Sequence, residues 1–146
     1  MNLCYNRTKA TQNASPKNKG VVMGSIFSKI IAGEIPCYKI YEDERTFAFL
    51  DIHPETPGHT LVVPKVEVDK LYDLDEEDYL AVMRTVKLLA ANMEKVLSRR
   101  TLLKVVGTDV PHAHVHLTSL DENYKYGQEV QMTEAEMREM QERLKK

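Results

Sequence analysis

The residues best suited to chemistry in this 146-residue chain are its five histidines, which fall in two short windows. His53 and His59 lie in the first window, and His112, His114 and His116 lie in the second. Near neutral pH an imidazole can be a nucleophile, a general acid or a hydrogen-bond donor, depending on its protonation state. Three histidines in one window, in a chain with only two others, therefore predict a functional site.

In the second window the histidines alternate strictly with Ala113, Val115 and Leu117. This period of two is that of a β-strand, so we expect the three imidazoles on one side and the apolar side chains on the core side. Neighbouring imidazoles would start about 6 to 7 Å apart along the strand, which suits contact with one extended substrate. A metal site made of two of these histidines and His59 is the alternative.

Phosphoryl groups are natural targets for such a row. A neutral central imidazole can attack phosphorus, while protonated neighbours stabilise the equatorial oxygens and protonate the leaving group. One difficult displacement is thereby divided into two easier ones.

The remaining sequence predicts the elements that must position these histidines. Short runs of apolar and β-branched residues predict five strands, at 38–41, 46–50, 59–63, 101–106 and 111–118. Capping residues and helical spacing predict a short helix between Ser25 and Gly33, a long helix over 74–98, and a last helix from Thr133 through Leu144. Strands, a long helix, more strands and a terminal helix are typical of an α+β domain with an antiparallel sheet of about five strands.

The charge of the chain is unevenly distributed. Residues 1–22 contain four basic residues and no acidic one, which leaves 16 basic and 22 acidic residues, a net charge of −6, on residues 23–146. An acidic body argues against a nucleic-acid-binding surface. No apolar run approaches the roughly 20 residues that span a bilayer, so we expect no membrane segment. With Cys4 and Cys37 far apart, a cytoplasmic setting is the simplest interpretation.

Residues 1–22 are polar and lack the apolar core of a secretory signal. We expect this leader to be disordered or dispensable, with Met23 as an alternative start and residues 23–146 as the domain.

The run from His112 to Leu117 resembles the signature of the histidine triad (HIT) family of nucleotide hydrolases and transferases, which is His-x-His-x-His followed by apolar residues. The resemblance continues upstream in SIFSKIIAGEIPC at 25–37, FLDI at 49–52 and PGHTLVVPK at 57–65, in the family's order. It covers residues 24 to about 120, with 121–146 as a C-terminal tail and helix. It implies the HIT-like fold and a homodimer that joins its sheets.

The resemblance also implies a role for each of four histidines. His114 matches the nucleophile, which forms a covalent nucleotidyl-imidazole intermediate that water then cleaves. His116 matches the residue that contacts the phosphate and the leaving group. His112 matches the partner that orients the nucleophile, and His59 matches the fourth histidine near the triad. His53 matches no functional position, and we expect it at the surface or the pocket rim.

Further positions match the family's nucleotide-binding residues. Asp51 matches the acid that accepts hydrogen bonds from the ribose hydroxyls, which an ionised carboxylate can do for two hydroxyls at once. Gly107 matches the glycine of the phosphate loop, and Asp109 stands where relatives have a hydroxyl donor to phosphate. Five apolar residues match the slot for a purine base: Ile26, Phe27, Ile35, Leu50 and Ile52.

The chain departs from the family pattern in ways that affect these expectations. Thr101 stands near the place of an Asn that many relatives have, and a carboxylate at Asp109 would repel phosphate unless it is protonated or turned away. Zinc-binding relatives begin with Cys-x-x-Cys, where this chain has Ser25 and Ser28, and no histidine follows soon after Lys65. We therefore expect no structural zinc and no cofactor.

The resulting prediction is a hydrolase that releases a nucleoside monophosphate from a phosphoramidate or related mixed phosphate. A diadenosine polyphosphate hydrolase or a phosphorylase of the same family is one alternative. A purine nucleotide-binding regulator without efficient catalysis is another.

Overall fold

Five antiparallel strands form one sheet, in the order β1-β2-β3-β5-β4, in a computed structural model that describes residues 24–146. The strands are β1 (Lys39–Glu42), β2 (Thr46–Leu50), β3 (Thr60–Pro64), β4 (Thr101–Lys104) and β5 (Val115–Ser119). The helices are α1 (Ile26–Ile31), α2 (Glu76–Leu97) and α3 (Glu134–Leu144), with a 3-10 turn at Leu71–Asp73. The predicted α+β class is confirmed. The predicted leader, residues 1–22, lies outside the described residues.

Helix α1 begins and ends where the sequence predicts. The Ser25 hydroxyl accepts a hydrogen bond from the Ser28 amide at 3.1 Å, which satisfies one of the free N–H groups of the first turn. Gly33 follows the helix with φ of +78°, a conformation that favours glycine. The chain can therefore turn sharply from α1 toward β1.

Strands β2 and β3 are buried along their whole length because both faces of the sheet are covered. Ala48, Leu50 and Val62 point to the main core beneath α2 and α3. The alternate residues of the same strands, such as Phe49 and Leu61, join a second cluster with Phe27 of α1. The second face of the sheet is the one on which the histidines lie.

The two longer helices pack on the first face. Asp75 caps α2 by accepting from the Asp78 amide at 2.8 Å, and Val82, Val86, Leu89 and Met93 are buried on its sheet side. Thr133 and Glu136 form the predicted capping box of α3. The buried residues of α3 are Met137, Met140 and Leu144, so its methionine stripe is part of the core.

The predicted strand over 111–118 is wrong at its start. Strand β5 begins at Val115, and the segment carrying His112 and His114 lies outside the ladder. The partner strand β3 ends at Pro64, whose carbonyl accepts instead from the His112 imidazole at 2.8 Å. The predicted strand over 101–106 is likewise shorter and ends at Lys104. Within residues 24–146, no helix is both long and apolar enough to cross a membrane.

Candidate active site

The segment that enters β5 fixes the orientation of His114. The Nδ1–H of His114 donates to the backbone carbonyl of His112 at 2.6 Å, because a carbonyl oxygen can only accept. The proton of a neutral ring is thereby held on Nδ1, and Nε2 keeps its lone pair. The Phe27 ring packs edge-on against the imidazole with centroids 5.1 Å apart. His114 is 4% exposed and lines a cavity, so its free nitrogen belongs to a confined site.

His112 lies behind His114 and is fully buried. Its Nε2–H donates to the Pro64 carbonyl at 2.8 Å, and its Nδ1 accepts from the Ser25 hydroxyl at 2.7 Å. Burial lowers the pKa of this imidazole. His112 therefore ties the start of α1 to the end of β3, and its own carbonyl holds His114.

His59, which directly precedes β3, and His116 of β5 form a hydrogen-bonded pair. The Glu55 amide donates to His59 Nδ1 at 3.0 Å, so a neutral His59 carries its proton on Nε2. That Nε2–H donates to His116 Nδ1 at 2.9 Å, which leaves the proton of neutral His116 on its own Nε2. The rings of His116 and His114 lie 4.9 Å apart between centroids. The pair thus leaves an N–H donor on the ring that packs against His114.

Both imidazoles of this pair are neutral near pH 7. Burial, and after it the positive charge that His116 would carry, lower the pKa of His59 to about 3. Burial is also the largest cause that lowers the pKa of His116 to about 4, and the positive charges of His114 and Lys104 act in the same direction. The expectation that protonated neighbours flank the central imidazole is therefore wrong, since these neighbours are neutral donors.

A cavity of about 470 Å³ opens in front of the histidines. Ten of the twelve residues predicted for the site line it: His59, His114, His116, Ile26, Phe27, Ile35, Leu50, Asp51, Ile52 and Asp109. The two others, His112 and Gly107, do not. His112 lies behind the wall, and Gly107 is exposed with φ of +71° and open space at its Cβ position. The structure thus brings together residues that lie up to 90 positions apart in the sequence.

The cavity has an apolar side and an acidic side. Phe27 packs edge-on against Phe49 at 5.5 Å between centroids and forms the apolar side with neighbouring isoleucines. Asp51 follows β2, where its Oδ1 accepts from the His53 amide at 2.9 Å. Burial raises the pKa of Asp51 above its ordinary value. A planar ring suits the apolar side of the cavity, and Asp51 can accept hydrogen bonds at the edge of that side.

Several cavity residues were not predicted. Glu55 lies in the loop before His59, and Gly127 and Glu129 belong to the C-terminal tail. The tail is held by the Val130 amide, which donates to the Pro54 carbonyl at 2.7 Å. Because this contact joins segments about 75 residues apart, no local pattern in the sequence signals it. His53 lies at the rim, as expected, with its Nδ1 3.2 Å from Glu129 Oε2.

Lys104 and Tyr124 support Glu55 from outside the cavity. Lys104 Nζ donates to the Glu55 carboxylate and to the Tyr124 hydroxyl, and Tyr124 donates to the same carboxylate at 3.1 Å. The Lys104 ammonium also lies over the Tyr126 ring, 4.9 Å from its centroid. The pKa of Glu55 is raised by burial but lowered on balance by these partners. The loop that orients His59 is thus anchored to β4 and to the tail.

A metal fits poorly among these groups. Asp51, His59 and His116 each offer a ligand atom within 4.8 Å of the others. A metal at His59 Nε2 would move the imidazole proton to Nδ1, where it would face the Glu55 amide proton. The hydrogen bond from Glu55 therefore favours the histidine pair over a metal site.

Ser25 and Ser28, at the positions compared above with Cys-x-x-Cys, take part in hydrogen bonds. The Ser28 hydroxyl and the Ser25 amide both donate to the Glu67 carboxylate, and Ser25 also donates to His112. Zinc in proteins is held by thiolate, imidazole and carboxylate ligands, and serine hydroxyls are not among them. These residues do not fit a structural zinc.

Comparison with known proteins places this chain in a family. A family model described as the HIT domain matches residues 32–123. An uncharacterized HIT-like protein of Borreliella burgdorferi is 36% identical over 110 residues, covering 70% of this chain and 79% of that protein. The adenosine 5'-monophosphoramidase HNT1 of Saccharomyces cerevisiae is 40% identical over 96 residues, covering 63% of this chain and 60% of that protein.

A similar fold is present among solved structures. The crystal structure of a Hit-like protein involved in cell-cycle regulation from Bartonella henselae superposes with a TM-score of 0.76 at 29% sequence identity. The match covers 82% of this chain and 93% of the other.

Proposed function

The chain belongs to the HIT family, and from this premise we propose that it is a nucleotide-processing hydrolase that releases a nucleoside monophosphate from a phosphoramidate or related mixed phosphate. The observation that carries the proposal is the hydrogen bond from His114 Nδ1 to the His112 carbonyl. It leaves the lone pair on Nε2 of a ring that lines a cavity of about 470 Å³.

The proposed reaction has two steps. In the first, the lone pair of His114 Nε2 forms a bond to phosphorus, and the bond from phosphorus to the leaving group breaks with its electron pair on the leaving atom. In the second, a water oxygen attacks phosphorus, the bond to His114 breaks and its electron pair returns to Nε2. The water proton passes to solvent, and the nucleoside monophosphate is released.

His116 would stabilise the charge that develops on the phosphoryl oxygens. Its Nε2–H is a neutral donor held in place by His59, so it needs little reorganisation during the reaction. His112 would act as a positioning residue because its carbonyl, rather than its ring, contacts His114.

The substrate would lie along the cavity with its base on the apolar side. Phe27, Ile35 and Ile52 would contact a purine, and Asp51 would accept from the ribose hydroxyls. The name of the S. cerevisiae relative, an adenosine 5'-monophosphoramidase, supports a nucleotide substrate with a phosphorus–nitrogen bond.

A homodimer is also part of the proposal. Strand β4 is an edge of the sheet, and its residue Leu103 is 52% exposed. An unpaired edge with exposed apolar residues is suited to pairing with a second copy. Light scattering after size exclusion tests it, and a monomer at micromolar concentration would contradict it.

The decisive experiment is capture of the covalent intermediate. Brief mixing of the protein with an adenosine phosphoramidate, acid quenching and peptide mass spectrometry should find the mass of one nucleotidyl group on the peptide containing His114. His114→Asn should lose both this adduct and turnover, with a circular dichroism spectrum like that of the unmodified protein. Turnover by His114→Asn at the unmodified rate would overturn the assignment. Tight monophosphate binding without turnover of any conjugate would instead support the nucleotide-binding regulator.

A further inference from the structure

The loop between β2 and β3 is held by other segments on both sides of Glu55. The Pro54 carbonyl accepts a hydrogen bond from the Val130 amide of the tail at 2.7 Å. The buried Thr56 hydroxyl accepts from the Ser119 amide of β5 at 3.1 Å. Both neighbours of Glu55 are thereby fixed, and the remaining freedom of the loop at this point lies in Glu55 itself.

The Glu55 side chain ends in a partly buried cluster with Lys104 and Tyr124. Lys104 Nζ donates to the Glu55 carboxylate and, at 3.0 Å, to the Tyr124 hydroxyl, which donates to the same carboxylate at 3.1 Å. The Glu55 and Lys104 side chains are each 15% exposed, so water solvates the carboxylate poorly. The cluster therefore holds the residue whose amide donates to His59.

Lys104 lies beside the histidine pair but does not line the cavity. Its partner in the register of β4 and β5 is His116, and directly opposite residues of an antiparallel pair share a face of the sheet. Within residues 24–146 the cavity lining includes Glu55, His59 and His116, but neither Lys104 nor Tyr124. An effect of these two residues on a bound molecule must therefore pass through their neighbours.

We propose that Lys104 and Tyr124 are positioning residues: by fixing the Glu55 carboxylate they keep the Glu55 amide on His59 Nδ1, and thereby keep His116 an N–H donor toward phosphate. The inference rests on the proposed function. It adds two residues outside the histidine motif and makes the C-terminal tail, through Tyr124, part of the machinery of the reaction.

The hydrogen bonds show what loss of the cluster would change. A Glu55 carboxylate without its partners turns toward water and moves its own amide away from His59 Nδ1. His59 can then carry its proton on Nδ1 and accept at Nε2. His116 would have to donate from Nδ1, which leaves a lone pair on its own Nε2. A donor toward phosphoryl oxygens would thus become an acceptor that repels them.

Tyr124→Phe is the sharpest test, because it removes one hydroxyl and keeps the ring, whose centroid lies 5.4 Å from Lys104 Nζ. Rapid mixing with an adenosine phosphoramidate and acid quenching gives the rate constant of nucleotidyl transfer to His114. This rate constant should fall about tenfold at saturation, with about the same half-saturating concentration, since the hydroxyl does not line the cavity. Lys104→Met should lower it further, and Lys104→Arg, which retains donors and charge, should restore most of it.

Nitrogen-15 chemical shifts of the imidazoles distinguish positioning from a merely structural role. In Tyr124→Phe and Lys104→Met the His59 Nδ1 signal should move toward the value of a protonated nitrogen. A purely structural role would lower the thermal midpoint and leave this signal in place. Tyr126→Phe is the matched control, because it removes a hydroxyl from the same tail and keeps the ring, whose centroid is 4.9 Å from Lys104 Nζ. It should change neither the rate constant nor the shift.

The outcomes separate this inference from the proposed function. Transfer by Tyr124→Phe and Lys104→Met at the unmodified rate, or slower transfer with unchanged nitrogen shifts, would overturn the positioning role and leave hydrolysis through His114 intact. If Lys104→Met does not fold by circular dichroism, Tyr124→Phe decides alone, since it preserves every charge. Absence of the nucleotidyl adduct in the unmodified protein would overturn the proposed function, and this inference with it.

Discussion

The Glu55 amide donates a hydrogen bond to His59 Nδ1 over 3.0 Å, and this contact sets the positions of two further protons. It places the His59 proton on Nε2, and through it the His116 proton on the nitrogen that is free to meet a substrate. A backbone group in a loop thereby determines that a histidine of the triad is a donor.

The protonation of the pair should be visible directly. Because burial lowers the pKa of His59 to about 3 and that of His116 to about 4, both rings should be neutral at pH 5.5. Nitrogen-15 chemical shifts of the imidazoles should show one protonated and one unprotonated nitrogen in each ring. Two protonated nitrogens in either ring at this pH would contradict the arrangement.

The same lowered pKa values make stability depend on pH. In the unfolded chain both histidines take up a proton below pH 6.5, whereas in the folded chain they do so only near pH 3 to 4. The unfolded state thus binds more protons in this interval, and the free energy of unfolding should fall as pH drops from 6.5 toward 4. The slope is up to about 1.4 kcal/mol per pH unit for each histidine.

Urea denaturation at pH 7.5, 6.0 and 5.0 measures this effect. His116→Gln should flatten the decline because one of the two titrating groups is gone. An equally steep decline in that variant would assign the dependence to other residues.

Ser25 has two functions that a substitution can separate. Ser25→Ala removes the helix cap and the donor to His112, so it should destabilise the fold by about 1 kcal/mol and lower kcat as well. Ser25→Thr keeps a hydroxyl for both contacts and should preserve most of each. If Ser25→Ala changes stability alone, the contact with His112 has no role in positioning His114.

Lys104 and Glu55 should be energetically coupled. Their side chains are each 15% exposed, so removal of the lysine leaves a poorly solvated carboxylate. Lys104→Met should cost about 1 to 3 kcal/mol, and the double variant with Glu55→Gln should recover part of that loss. Thermal unfolding of the two single variants and the double variant gives the coupling. Additive losses would show that the pair is not a unit.

Asp51 should determine the preference for ribose. A carboxylate that accepts from the sugar hydroxyls favours a ribonucleotide over its 2'-deoxy counterpart, by about tenfold for one charged hydrogen bond. Asp51→Asn should reduce this discrimination. The ratio of kcat/KM for the two sugars measures it, and an unchanged ratio in Asp51→Asn would place the ribose elsewhere.

Metal analysis tests the interpretation of the serine cluster. Protein purified without a histidine tag from medium containing zinc should hold well under one equivalent, since Ser25 and Ser28 donate to Glu67 and His112 rather than bind a metal. Ser25→Cys together with Ser28→Cys offers the informative comparison, because thiolates beside His112 and Glu67 would supply suitable ligands. Stoichiometric zinc in the unmodified protein would overturn the interpretation.

The sequence was sufficient for most of the elements. Ser25, Asp75 and Thr133 each cap the helix that the sequence predicts, because a capping hydroxyl or carboxylate acts on its own first turn. It was not sufficient for the end of the strand that carries the histidines. His112 and His114 alternate like strand residues, yet the ladder starts only at Val115, since pairing depends on where the partner strand β3 stops at Pro64.

The protonation states of the histidines could not be predicted from the sequence around them. The spacing of the triad predicts a shared face, but the sequence does not show that Glu55 lies against His59, or that burial keeps His116 neutral. The expectation of protonated neighbours failed for this reason. The sequence showed Asp109 as a departure from the family pattern. Only the structure shows that Glu129 of the C-terminal tail lines the same cavity.

The sequence by itself predicted the family, through its resemblance to the HIT signature, and the α+β class, because motif spacing and helix capping are local properties. It also supplied the candidate site residues, ten of which line one cavity. Only the tertiary structure decided which nitrogen of His59, His114 and His116 bears the proton of the neutral ring, which acids line the candidate cavity, and that the C-terminal tail forms part of the cavity wall. Those properties arise from hydrogen bonds and burial between segments distant in the chain, such as Pro54 with Val130 and Glu55 with Lys104.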